Sequence, residues 1–213
     1  MHVAVALAHK FNPLKKRMSS PPSLPVKKRT SQPIWVKILI VLAVLILIVP
    51  LALIATNLSR VYSVPNGAMA PAIDAGDHVV MEGFSYLRLP PRRGDIVVFK
   101  TDAIPGLGHQ TYVKRLVGLP GEELRIDHDA LYVNGERVSI RNKEGEIVYR
   151  SLNSRFLRNP QEKIKIPPGS YFVLGDNALR SLDSRMWGCV PASSVLGRAV
   201  WCYWPPAHIG HIE

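Results

Sequence analysis

Lys114 lies in the middle of an apolar run, Tyr112-Val113-Lys114-Arg115-Leu116-Val117, which leads into the turn Gly118-Leu119-Pro120-Gly121. An exposed lysine titrates near about 10.4 and keeps its proton, but burial disfavours the ammonium, and an amine made neutral can act as a general base. The plain alternative is a strand lysine that faces solvent. Strand neighbours alternate, so Arg115 is expected on the opposite face. A second stretch, Gly175-Asp176-Asn177-Ala178-Leu179-Arg180-Ser181-Leu182-Asp183-Ser184-Arg185, offers the Ser181 hydroxyl and a pairing of Asp183 with Arg185. By itself it also reads as a polar turn held by local hydrogen bonds. A third, Val61 to Val80, sets Pro65, Gly67 and Pro71 around Ala68, so that a small residue is presented at a tight bend. Base-assisted attack on a carbonyl needs a hydroxyl beside the base and donors for the oxyanion. Ala68 has only a methyl group.

The elements that would hold these residues are short and strand-like. His78 to Met81, Asp95 to Lys100, Tyr112 to Val117, Glu123 to Ile126, Ala130 to Val133, Ser170 to Leu174 and Val195 to Tyr203 are rich in Val, Ile, Tyr and Phe, with Gly, Pro and Asn between them. Asn134-Gly135, between Leu131-Tyr132-Val133 and Arg137-Val138, predicts a hairpin. Beyond residue 60 no amphipathic repeat of helical length occurs. Residues 61–213 are therefore expected to form one mainly β domain. The charged stretch Arg141 to Lys163 is expected as an insertion, over about residues 140–164, capping the domain outside its core.

The chain has 27 Lys and Arg against 16 Asp and Glu, but eight of the basic residues and none of the acids fall in residues 1–37. From Ile38 to Ala55 no side chain is polar or charged, a length of about 27 Å at 1.5 Å per residue, close to a bilayer core. Ile34 to Val36 extend this run and Lys37 can snorkel, so residues 34–58 are expected to be a transmembrane helix, kinked at Pro50. A cleaved signal peptide is the competing reading, with an apolar region of about 7 to 15 residues nearer the start. Residues 1–33 are too polar to fold and are expected to be a disordered cytoplasmic tail drawn to anionic lipid. The remainder is then extracytoplasmic, behind a single span. A neighbouring span accounts for the basic tail without nucleic acid. Cys189 and Cys202 lack metal-ligand spacing and fit either a pair or two separate thiols. His208 and His211 have no cluster around them, and neither a metal nor a cofactor is expected.

The three stretches resemble the conserved boxes of the type I signal peptidases, Ser-Lys endopeptidases that remove signal peptides from exported proteins. Pro65-Asn66-Gly67-Ala68-Met69-Ala70-Pro71-Ala72-Ile73-Asp74-Ala75-Gly76-Asp77 is similar to the nucleophile box, P-S-G-S-M-x-P-T-L-x-x-G-D. YVKRLVGLPGE resembles the general-base box, and Gly175 to Arg185 the G-D-N-R-x-x-S-x-D-S-R box. Gly94-Asp95-Ile96-Val97-Val98-Phe99 matches a further family segment. The likeness covers residues 61–100, 112–138 and 171–200, with the boxes in family order behind one anchor.

The resemblance implies a signal-peptidase-type β fold and a role for each matched position. Lys114 takes the place of the dyad lysine. Ser181 would hydrogen-bond that lysine, and Asp183 and Arg185 would brace the loop as an ion pair. Val64, Pro65, Met69, Asp95, Ile96 and Val97 would line a groove for an extended signal-peptide end. The attacking serine falls on Ala68, which still supplies the backbone N–H that donates to the oxyanion. Asn66 stands where the family has a serine or threonine donor, and its amide could donate instead. Ala72 and Ala178 replace the usual Thr and Arg. The alanine at 68 fits either a substitution introduced to trap substrate or a native relative that does not cut. The implied function is therefore a signal-peptide-binding, membrane-anchored protein that would cleave with serine at position 68. Its alternative is a non-catalytic pseudopeptidase that binds or helps assemble exported proteins. Signal peptides, the lipid bilayer and the secretion translocon are the partners this implies; Trp187 and the run Val200 to Pro205 fit either contact with the headgroup region of the bilayer or ordinary core aromatics at a strand end.

Overall fold

The computed structural model describes residues 32–55, 58–150 and 154–213. The disorder expected of residues 1–31 falls outside them. An apolar helix, α1 (Ile34–Ala55), contains Pro50. Its segment Ile34–Ala52 has a mean hydropathy of 3.0 and is not buried, so it is long and apolar enough to cross a membrane. It has no polar face to turn to water.

The β elements begin with β1 (Ser59–Ser63), β2 (His78–Glu82), β3 (Ile96–Lys100) and β4 (Thr111–Gly118). They continue with β5 (Glu123–Asp127), β6 (Ala130–Val133), β7 (Glu136–Val138), β8 (Arg141–Asn142) and β9 (Gly145–Glu146). The chain ends with β10 (Ile164–Lys165), β11 (Ser170–Leu174), the single turn α2 (Ser184–Trp187), β12 (Val190–Pro191), β13 (Val195–Trp204) and β14 (Gly210–His211). The fold is mainly β, as the short Val- and Ile-rich runs predict. Among the described residues one sheet has the order β1-β2-β13-β3-β4-β11-β12, with β14 added to β13, and a second has the order β10-β5-β6-β7. Asn134 and Gly135 take positive φ values of 50° and 89°, as a two-residue hairpin turn requires, and β6 pairs with β7 across them.

β3 is central and buried on both faces. Ile96 and Val98 pack with Val64, Met69, Val79 and Met81, while Val97 and Phe99 pack with Leu116 and Val173 on the other side. This is the period of two expected of a strand. The second sheet has its own core, and here the structure differs from the cap expected outside the core. Ile140, Ile147, Tyr149 and Leu157 are buried with Leu124, Leu131 and Phe172. Most charged residues of the same stretch are exposed. Single apolar residues scattered among charges carry no period, so the sequence shows only the polar part.

Cys189 and Cys202 are separate, unpaired thiols. His208 is exposed yet lies 2.7 Å from Asp77 through Nδ1 and Oδ1, and His211 packs edge-on against Trp201 with ring centroids 4.7 Å apart.

Candidate active site

The bend Gly67–Met69 is one tight turn between β1 and β2. The residue that precedes and caps it, Asn66, is extended, and its side-chain oxygen accepts a hydrogen bond from the Ala68 N–H at 3.2 Å. This satisfies a donor that a short turn otherwise leaves open. The amide oxygen thus takes the N–H expected to serve an oxyanion, where the sequence suggested that Asn66 would donate. Met69 is buried beside Val64 and Ile73 and anchors the turn. On its other side the Ala68 carbonyl accepts from Asn177 N–H at 3.1 Å. Gly175 lies between bend and loop: a Cβ there would fall 2.5 Å from the Ala68 carbonyl oxygen and 2.2 Å from Ser181 Oγ. Only glycine allows that approach.

Lys114 stands on β4 as the cross-strand neighbour of Val97 and is 6% exposed. Its Nζ donates to the Val113 carbonyl at 3.1 Å and lies 5.5 Å from the centre of the Tyr112 ring. Burial pushes the amine down from 10.5 to about 8, against smaller upward pulls from Asp183 and Asp176. At neutral pH roughly a tenth of the molecules would carry it uncharged. Arg115, the next residue, binds Asp176 through both Nε and Nη2 at 2.7 Å. Both partners of that pair are buried, and the bidentate geometry is what a guanidinium needs there.

A second buried pair shapes the loop. Arg185 donates to Asp183 from Nε at 2.9 Å and from Nη2 at 2.7 Å. Asp183 also accepts from Gly175 N–H at 3.1 Å and caps α2 by accepting from Arg185 N–H at 3.2 Å. Ser184 Oγ accepts from Val173 N–H at 3.0 Å and ties the same turn to β11. Ser181 Oγ is buried without a hydrogen-bond partner. The bond from Ser181 to Lys114 that the resemblance implies is absent, because the lysine turns to Val113 and the hydroxyl packs over Gly175.

These elements enclose a cleft of about 300 Å³. One wall is Tyr62 to Asn66, the floor holds Ala68 and Met69, and the facing wall is Gln110 to Lys114, with Arg180 and Leu182 at the loop side. Val64, Pro65, Asn66, Ala68, Met69 and Lys114 therefore share one space. Asp95, Ile96 and Val97 lie elsewhere, which corrects their expected place in the groove. Ile96 and Val97 are core residues of β3, whose edges are taken by β13 and β4. Asp95 accepts from Tyr86 OH and from Arg92 N–H, each at 2.8 Å. The facing wall is instead the start of β4. Among the described residues no strand pairs with its second edge over Thr111–Lys114, because β11 reaches only Arg115, Leu116 and Gly118. The residues missed from sequence are Tyr62, Ser63, Gln110 to Val113, Arg180 and Leu182. A usable signal was present, since Tyr112 stands two residues before Lys114 on one strand and so on the same face.

Asp74, Asp77 and His208, none of which lines the cleft, bring three potential metal-ligand atoms within 4.8 Å of one another. Their hydrogen bonds are already mutual, with Asp77 also accepting from Asp74 N–H at 2.8 Å.

A family model described as signal peptidase, peptidase S26, matches residues 34–204. The chain is 34% identical over 163 residues to the probable signal peptidase I-2 of Synechocystis sp., covering 74% of this chain and 68% of that one. It is 36% identical over 148 residues to signal peptidase I of Bacillus caldolyticus, covering 68% of this chain and 79% of that one. Among solved structures, a signal peptidase I from Enterococcus faecalis V583 is 33% identical, covering 52% of this chain and 97% of that chain, with a TM-score of 0.39.

Proposed function

Because the chain belongs to the signal peptidase family, peptidase S26, we propose that its cleft binds the signal peptides of exported preproteins and that it is a Ser-Lys peptidase site with the attacking hydroxyl missing at Ala68. The observation that carries this reading is the desolvated Lys114 amine in the same cleft as the Ala68 bend. An extended peptide would add to the free edge of β4 between the two walls. With serine at 68, neutral Lys114 would take the Oγ proton as Oγ attacks the carbonyl carbon. The residue-68 N–H would donate to the oxyanion, and the Lys114 ammonium would return the proton to the leaving nitrogen. Water activated by the same amine would then hydrolyse the ester.

As it stands the chain has no such hydroxyl, and cleavage is not expected of it. Ala68→Ser should raise preprotein cleavage by about 10³-fold or more, with the rate rising with pH through about 8 as Lys114 loses its proton. Equal cleavage by both versions would refute the role given to position 68. The second reading, a non-catalytic binder of exported chains, is favoured by one observation: Asn66 already occupies the Ala68 N–H. Retained signal-peptide binding with no cleavage by Ala68→Ser would support it.

The helix α1 would anchor the protein, with the basic residues ahead of it in the cytoplasm and the β domain outside. Protease added to right-side-out vesicles should then reach the β domain. Full protection from it would contradict this placement.

A further inference from the structure

The cleft leaves one buried cation without a counter-ion. Asp176 and Asp183 are the acids whose charges act on Lys114. Each is already bound to a buried arginine, Asp176 to Arg115 and Asp183 to Arg185, at 2.7 Å. Those two pairs are neutral as units. Lys114 itself makes one hydrogen bond, to a backbone carbonyl, so two of its three N–H donors lack a partner among the described residues. The cleft adds a second cation, Arg180, and among the described residues that line it none is acidic. The remaining titratable groups facing it are the phenols of Tyr62 and Tyr112. Ser181 Oγ, buried on the loop beside this wall, is a further donor without a partner. A buried charge that lacks both an opposite charge and a full set of acceptors is costly, and a bound anion removes the cost.

We infer that the cleft is a receptor for the free C-terminal carboxylate of an extended peptide, with Lys114 and Arg180 as its counter-ions. The inference rests on the reading above that an extended peptide lies between the two walls, and it specifies which end product of preprotein processing is held. A peptide that continues past the cleft puts a neutral amide beside Lys114 and leaves the ammonium unpaired. A peptide that stops there brings two acceptor oxygens with a full charge. Ala68 helps, because its methyl group leaves free the space that a serine hydroxyl would fill on the floor of the cleft.

The test is fluorescence anisotropy on the full chain in detergent, with a labelled apolar peptide of about ten residues ending in Ala-Gln-Ala. Three forms are compared at pH 7: the free acid, its C-terminal amide, and the same peptide extended by a few residues. The free acid should bind about tenfold or more tightly than the other two. That preference should fade above pH 8, as the ammonium is lost, and disappear in Lys114→Gln. Equal binding of all three forms, or tighter binding of the extended one, would overturn the carboxylate inference and leave peptide binding in the cleft intact. Binding of none would overturn the signal-peptide reading as well. The comparison of peptide forms uses the unaltered chain, so it does not depend on Lys114→Gln folding.

Discussion

At position 66, where the family resemblance implies a hydroxyl donor, the side chain presents an oxygen acceptor. Asn66 Oδ1 accepts from Ala68 N–H at 3.2 Å, so an oxyanion forming at the bend would have to compete with it. A serine hydroxyl can rotate to donate, whereas the carbonyl side of an amide cannot. Adding Asn66→Ser to Ala68→Ser should therefore raise the cleavage rate further, by about tenfold, with most of the change in kcat. An unchanged or lower kcat would show that the cap does not obstruct the oxyanion. Ala68 and Lys114 were legible from sequence through the family boxes they match, because a turn-rich bend and a lysine in an apolar strand are by themselves equally a plain turn and a solvent-facing lysine. The Asn66 contact was not, since identity alone does not tell which end of an amide meets the backbone. Arg180 and Leu182 were hidden for another reason: their place in the cleft is set by the Gly175 approach to Ala68, a contact between distant parts of the chain.

At the scale of elements, β4 and the loop after β11 are held by two buried arginine–carboxylate pairs, and the loop pair also caps α2. Removing one partner leaves the other charged and buried. Asp183→Ala is expected to cost about 3–5 kcal/mol in denaturant unfolding, through loss of the Arg185 pair, the Gly175 N–H acceptor and the cap. A loss under 1 kcal/mol would mean that the loop is not braced this way. The strand runs of the sequence reappear within a residue or two because half-buried and central strands both concentrate Val and Ile. Strand order is not written in that pattern. The groove was expected between Val64, Pro65 and Met69 on one side and Asp95 to Val97 on the other, yet β3 has both edges occupied, while the start of β4 keeps an edge free. β1 was missed because Ser59-Arg60-Val61-Tyr62-Ser63 has too few apolar residues to alternate, and pairing with β2 supplies what composition does not. The buried Ile140, Ile147, Tyr149 and Leu157 belong to the same class of contact, fixed by the second sheet and not by their neighbours in sequence.

For the molecule as a whole, the charge asymmetry and the apolar run were legible as an anchor pattern, and the helix Ile34–Ala55 has the length that pattern needs. The β domain that follows encloses a cleft lined by both the desolvated Lys114 amine and the Ala68 bend, and both the proposed cleavage chemistry and the proposed capture of a carboxylate depend on that amine. A folded-state value below the ordinary lysine value means that the folded chain holds this proton less tightly than the unfolded chain, so stability should rise with pH between about 8 and 10.5. The most direct measurement is an NMR titration of the Lys114 side chain in the full-length protein, assigned by its loss in Lys114→Gln. A midpoint near 8 is the predicted result. A midpoint at the ordinary value of 10.5 would show a solvated lysine and contradict the account.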